Sequence, residues 1–344
     1  MKIHIGHHFF GAGNLGDDLM MAGFIKSWLK RDISGTLSCN TPFERSVQKV
    51  RFPQLDWLPY SLEARTEAIR NCDIWLGLGG SAFQTDSGTW LIEHMAVELE
   101  LCKRFRKPMF YLCVDVGNWE ALNDPVNIAV LDYVEHVWTR DETAAKRIRS
   151  VSQENKITAG ADLSNLYLAK KNWPVCCKTS LAWLITNFNS TVALQEITQA
   201  IDTLPQWQHH WLIQEIRELQ GSEFEILHTL PFTTRNKLKV GLPNYNSLTT
   251  DNLFENWPNC EALVTSRFHG ALIAGWRGAR LVIIERNDKL TGLADTLGCI
   301  SISEDYNATA LCSAIASSTP IERDILEQQF DLARKCCNDF FDVF

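Results

Sequence analysis

Ser266-Arg267-Phe268-His269-Gly270 sets a permanent cation and a titratable imidazole two residues apart. Glu261-Ala-Leu-Val-Thr265 before it reads as a strand, and Ala271-Leu-Ile-Ala-Gly-Trp276 after it as a buried helix. A helix beginning near His269 aims its free N–H groups and the positive end of its dipole at whatever Arg267 and His269 hold. The chemistry implied is capture of a phosphate or carboxylate, with Ser266 and Gly270 at the same turn. An imidazole beside such an anion favours its charged form and can deliver a proton. The alternative for His269 is a buried histidine satisfied at a helix start.

Three further loops carry residues of the same kind. Gly11-Ala-Gly-Asn-Leu-Gly-Asp-Asp18 follows the first apparent strand and has the spacing of a dinucleotide fingerprint. Asp17 and Asp18 put negative charge where a pyrophosphate would sit, however, and Asn40 stands where a ribose-binding acid is expected. The glycines therefore form either a tight turn with Asp17 or Asp18 capping the helix, or a loop presenting Asn14 and Asp17 to a polar acceptor such as a sugar. In Gly77-Leu-Gly-Gly-Ser-Ala82 the absent side chains of Gly79 and Gly80 let the backbone approach a ligand. In Thr139-Arg140-Asp141-Glu142 the two acids suit a first helical turn, whereas Arg140 requires a ligand anion or a partner carboxylate. Lys289, after the strand that begins at Arg280, is either an anion contact or a solvated lysine.

These loops need a scaffold, and the chain supplies alternating strand and helix patterns. Lys2 to Phe9 reads as a strand, Asp73 to Leu78, Pro108 to Val114 and Glu135 to Thr139 as near-continuous apolar strands, and Asp18 to Arg31 carries apolar residues at helical spacing. Strands of this kind, separated by helices, indicate parallel sheets covered on both faces. The alternation breaks at 170–178 and resumes with strands at 180–186, 211–214, 239–242, 261–265 and 280–284. The expected fold is α/β, with two doubly wound Rossmann-like domains, 1–172 and 178–320, facing a cleft lined by the carboxyl ends of their strands. Residues 321–344 form a final helix whose Phe330, Phe340, Phe341 and Phe344 require burial against the first domain or a partner.

Composition narrows the function. The chain has 344 residues, 45% hydrophobic and 22% charged, with net charge −8, as in ordinary globular proteins. Its 33 Lys and Arg are scattered, which argues against nucleic acid or a membrane surface as partner. No run reaches the ~18 apolar residues of a spanning helix, and no basic-then-apolar leader opens the chain, so the expected location is cytoplasmic. The eleven cysteines lie mostly in apolar runs without zinc-ligand spacing and read as reduced, small hydrophobes. His4, His7 and His8 lack a carboxylate partner, so no metal is expected.

Taken in order, Gly-Asn-Leu-Gly-Asp-Asp, Leu-Gly-Gly-Ser, Arg140-Asp141-Glu142, Ser266 to Gly270, and Lys289 with Gly292-Leu293 resemble the polysaccharide pyruvyl transferase family across about residues 3–300. The resemblance implies a fold like that of B-type glycosyltransferases, phosphoenolpyruvate as donor substrate rather than a bound cofactor, and a sugar or glycan acceptor. The pyruvyl unit would pass to two hydroxyls as a ketal, releasing phosphate. It also implies that Arg140, Arg267 and His269 contact phosphoenolpyruvate. Ser81 and Val114-Asp115-Val-Gly-Asn118 depart from the family's more glycine-rich pattern.

The donor chemistry is consistent with the residues. Phosphoenolpyruvate carries phosphate and carboxylate, and two arginine forks can bind one each. Asp17, Asp86 and Asp115 are the candidate bases. Two other readings remain: a nucleotide-sugar-dependent glycosyltransferase of the same fold, and a non-catalytic glycan-binding protein.

Overall fold

The computed structural model describes every residue except 7–8, 32, 44, 86–87, 153–155, 174–175, 187–190, 218–220, 246–248 and 255. The chain divides into two compact units. The first comprises Met1–Ala12, Asp17–Tyr167 and Gln328–Phe344, and the second Gly13–Gly16 and Leu168–Glu327.

The strands of the first unit are β1 (Lys2–Ile5), β2 (Thr36–Thr41), β3 (Leu55–Pro59), β4 (Ile74–Leu78), β5 (Ser81–Phe83), β6 (Met109–Val116), β7 (His136–Thr139) and β8 (Ile157–Ala159). They pair in parallel in the order β3-β2-β1-β4-β6-β7-β8, with β5 beside β6. The helices are α1 (Leu15–Lys30), α2 (Ser46–Arg51), α3 (Leu62–Asn71), α4 (Trp90–Phe105), α5 (Pro125–Tyr133), α6 (Glu142–Arg149) and α7 (Ser164–Leu168). Every residue of β4 and β6 is buried, the behaviour of parallel strands covered on both faces. Trp75 and Tyr111 from these strands pack with Met95 and Leu99 of α4 in the core.

The second unit repeats the plan. β9 (Cys177–Leu184), β10 (Gln208–Leu212), β11 (Leu238–Gly241), β12 (Cys260–Thr265), β13 (Arg280–Glu285) and β14 (Ile300–Ser303) form a parallel sheet ordered β11-β10-β9-β12-β13-β14. Between and after them run α8 (Thr191–Thr203), α9 (Glu223–Thr229), α10 (Phe232–Arg235), α11 (Phe268–Arg277), α12 (Asp288–Leu297), α13 (Ala308–Ser317) and α14 (Arg323–Phe341). Trp183, Trp211, Ile197 and Leu311 anchor its core. Both units are thus doubly wound and Rossmann-like. Strand order reverses between β1 and β4 in one and between β9 and β12 in the other, the switch points at whose carboxyl ends such sheets bind ligands.

The described part of the first strand ends at Ile5, and His7 and His8 lie outside the described residues. The first helix begins at Leu15, earlier than its apolar periodicity, because Asn14 Oδ1 accepts a hydrogen bond from Gly16 N at 3.0 Å. All eleven cysteines are free. Burial pushes the Cys260 and Cys337 thiols up to about 12, so they pack as protonated small groups. Among the described residues no helix is long and apolar enough to cross a membrane.

The last helix closes the first unit. Phe340 is fully buried, its ring 5.8 Å from that of Phe110 and 5.9 Å from that of Trp138. Phe341 lies 5.9 Å from Phe24 and 6.0 Å from Trp28. Removing a ring at so enclosed a position costs about 3–5 kcal/mol. Phe340→Ala is therefore expected to lower the urea midpoint of the transition that reports the first unit, followed by fluorescence and circular dichroism.

Candidate functional site

Residues 265–270 occupy the switch point of the second sheet, where the turn from β12 into α11 is fixed by side chains. Thr265 Oγ1 donates to Leu184 O at 3.0 Å and accepts from Arg267 N at 2.9 Å. Ser266 Oγ accepts from Thr186 N at 2.9 Å and donates to Thr186 O at 3.2 Å, so its hydroxyl ties β12 to the end of β9. Gly270 lets α11 settle on β9, since a Cβ there would overlap Leu184.

Arg267 is held by carboxylates. Its Nε donates to Glu223 Oε1 at 2.6 Å and its Nη2 to Glu215 Oε2 at 3.4 Å. Burial works against the cation, but Glu223 and Glu215 outweigh it and raise the guanidinium pKa. Glu215 also accepts from Arg217 Nε at 2.7 Å. Two acids and two arginines thus balance, and Arg267 Nη1 makes no hydrogen bond with the described residues. The remaining positive potential comes from α11 itself. Its N-cap, Arg267, provides no side-chain cap, Ala271 N donates back to the Arg267 carbonyl, and the positive end of the helix dipole lies at this turn.

The loop Gly13–Gly16 belongs with this unit by its contacts. Leu15 N donates to Gln214 O at 3.1 Å, Ile216 N to Gly13 O at 3.0 Å, and Gln214 Nε2 to Asn14 Oδ1 at 3.2 Å. Gly16 faces His269, and a Cβ at residue 16 would overlap the imidazole. His269 is buried, 8% exposed. Lys289, half-buried, is the second residue of α12, a helix capped by Asn287 Oδ1. The segment Gln214-Glu215-Ile216-Arg217 and Glu223 were missed in the sequence, although a Glu-x-Arg directly after a strand is the kind of polar loop that marks this edge.

In the first unit, Gly79 and Gly80 stand at the end of β4 with φ of 57° and 67°, left-handed values that favour glycine. A Cβ on Gly79 would come 2.6 Å from Met20 Sδ. Arg140, 3% exposed, pairs with Asp115, with Asp162 3.8 Å away. Ser81 Oγ donates to the same Asp115 at 3.3 Å, so Asp115 is engaged as a structural counter-ion rather than an available base. Asp141 caps α6 by accepting from Ala144 N at 2.7 Å. Asp17 is half-exposed in the first turn of α1, and Asp86 lies outside the described residues. Asp18, fully buried, pairs with Arg51 at 2.9 Å, and burial still pushes its carboxyl up to about 6.

A second buried network sits beside the ends of β1 and β3. His94 Nε2 lies 2.7 Å from Gly6 O, and a carbonyl only accepts, so Nε2 carries the hydrogen. Burial holds this imidazole neutral, with its pKa near 4, and Nδ1 accepts from Arg65 Nη1 at 3.1 Å and Tyr60 Oη at 3.2 Å. Glu98 Oε2 accepts from Trp75 Nε1 at 2.7 Å, with Arg65 Nη1 3.5 Å from Oε1. Among the described residues no cluster of three His, Cys, Asp or Glu is arranged to hold a metal ion.

Two Rossmann-like parallel-sheet units define the class to which B-type glycosyltransferases belong. No family model and no curated protein matches the chain. Solved structures do. The UDP-GlcNAc 2-epimerase of Methanocaldococcus jannaschii superposes with TM-score 0.66 at 11% identity, covering 99% of this chain and 100% of that one. Anabaena HepE in complex with UDP gives 0.59 at 9% identity, covering 99% and 98%. The Neisseria meningitidis UDP-GlcNAc 2-epimerase bound to UDP-GlcNAc gives 0.59 at 10%, covering 99% and 99%. At such identities the likeness shows the fold.

These comparisons overturn the expectation of pyruvyl transfer from phosphoenolpyruvate to a glycan. The similar structures are UDP-GlcNAc 2-epimerases and a UDP-bound HepE. The two arginines assigned to the donor's phosphate and carboxylate also fall in separate units, each already engaged by carboxylates of its own unit.

The Glu98 carboxyl, ordinarily at 4.5, is pushed up to about 7 by burial against the opposing effect of Trp75 and Arg65. The folded chain thus holds this proton more tightly than the unfolded one. Its contribution to stability is complete below about pH 4.5 and is lost as pH rises through 7, on the order of 3 kcal/mol in all. Glu98→Gln keeps an acceptor for Trp75 and removes the titration. Urea midpoints measured from pH 4.5 to 7.5 should therefore fall less steeply for the variant than for the parent.

Proposed function

We propose that this chain is an enzyme acting on a nucleotide-linked sugar, with the diphosphate held at the start of α11. The observation that carries this reading is the uncapped N-terminus of α11 at the β9/β12 switch point, with Arg267 Nη1 beside it. A diphosphate there meets the positive end of the α11 dipole, where phosphates commonly bind at helix N-termini. Glu223 and Glu215 fix the plane of the Arg267 fork so that Nη1 meets the phosphate without a search through rotamers. The solved structures of the same fold that hold UDP or UDP-GlcNAc support the nucleotide as ligand.

His269 follows Arg267 on the same turn, and Gly16 leaves room for its ring. We assign it to contact with the diphosphate. Asn14, beside Gln214, is the polar group that the first-strand loop contributes to the same edge.

Calorimetric titration with UDP, UDP-GlcNAc and phosphoenolpyruvate tests the reading, together with assay of UDP-GlcNAc for UDP release or the C2 epimer. Saturable binding of UDP and turnover of the nucleotide sugar are expected. Arg267→Ala should weaken UDP at least tenfold, about 1.4 kcal/mol. Absence of binding by both uridine ligands at millimolar concentration would sink the proposal.

A further inference from the structure

The second unit carries a groove of about 630 Å³ along α8, lined by Leu194, Gln195, Thr198, Gln199, Asp202 and Thr203, with Thr229 and Pro231 opposite. α8 follows β9 and runs back toward the edge at which β10 begins, so the groove extends away from the carboxyl edge that bears Arg267. Its size falls in the roughly 300–1,000 Å³ range of small-ligand sites.

The lining selects a kind of ligand. The one acid, Asp202, pairs with Lys237 Nζ at 2.7 Å, so no net charge is left to draw a phosphate or a polyanion. Thr198, Thr203 and Thr229 each donate to a carbonyl of their own helix, those of Leu194, Gln199 and Ile226 at 2.9, 2.7 and 2.7 Å. Each hydroxyl proton is therefore spent while its oxygen can still accept. Gln195 and Gln199 are exposed and offer both donors and acceptors. Phe232, next to Pro231, is 69% exposed and makes no ring contact with the described residues. Two exposed amides and three hydroxyl oxygens still able to accept, with the exposed Phe232 next in sequence to the lining Pro231, suit a molecule with many hydroxyls on an apolar ring.

We propose that this groove binds a neutral oligosaccharide, as a docking site separate from the nucleotide site. Gln195, Gln199 and the threonine oxygens meet its hydroxyls, and Phe232 meets a sugar face. The inference stands on the groove's own chemistry and does not need the nucleotide reading.

Maltotriose, cellotriose and triacetylchitotriose serve as probes, titrated into the full chain and followed by saturation-transfer NMR and calorimetry. At least one should bind saturably, with Phe232→Ala and the double variant Gln195→Ala/Gln199→Ala each weakening it tenfold or more. All three positions are exposed, so thermal melts should match the parent, and UDP titrations of these variants should match it too. The proposal is overturned if none of the three sugars binds, if binding is unchanged in both variants, or if UDP displaces the sugar. Preferential binding of a sulfated oligosaccharide would overturn it as well.

Discussion

A guanidinium withdrawn from water costs several kcal/mol unless a carboxylate meets it with good geometry, and that requirement organises both sheets' carboxyl edges. In the first unit Arg140 meets Asp115, Arg51 meets Asp18 and Arg65 approaches Glu98. In the second, Arg267 meets Glu223 and Glu215. Apart from Arg140 and Asp115, which lie at the ends of the paired strands β7 and β6, these pairs join segments that backbone pairing alone leaves apart. Glu215 lies in the very segment, Gln214 to Ile216, on which Gly13–Gly16 is seated. The loop opening α1, the end of β10, the start of α9 and the turn into α11 are thus fixed as one assembly. Breaking such a pair on one side leaves an uncompensated buried charge, commonly a loss of about 3–5 kcal/mol.

The same pairing shows why some of the molecule was legible in sequence and some was not. Doubly wound character follows from local pattern: β4 and β6 are buried at every residue and read as unbroken apolar runs. Strands β3 and β14 lie at sheet edges, are short and only partly buried, and give no such run. An arginine is visible in sequence but its partner is not. Glu223 and Glu215 stand 44 and 52 residues from Arg267, and Asp115 stands 25 from Arg140. Without those partners both cations look available to a ligand. Ser81 and Asp115, read as two departures from a family pattern, are joined by a hydrogen bond and form one network with Arg140.

The order of motifs misled for a physical reason. Glycines after a first strand, glycines after a central strand, acids opening a helix and a cation before a buried helix are each demanded by the doubly wound plan. Tight turns need left-handed backbone, helix starts favour acids, and ligand sites gather at the strands' carboxyl ends. Four such features in sequence therefore follow the fold, which hosts many chemistries. They do not separate phosphoenolpyruvate from a nucleotide sugar.

The helix ends of the second unit differ in how they are closed, α10 as well as α11 beginning without a side-chain cap. In the second unit α9, α12 and α13 are each capped by their own Ser222, Asn287 or Asn307, which accepts one of the first backbone N–H groups. α11 has no such cap, because its N-cap residue is Arg267, a donor whose fork is drawn aside by Glu223. Capping by a side chain normally stabilises a helix by about 1 kcal/mol, a contribution that packing of α11 on β9 replaces here. Under the proposed function a diphosphate bound at this helix end would stabilise the folded unit as it is captured, coupling occupancy to the order of the turn.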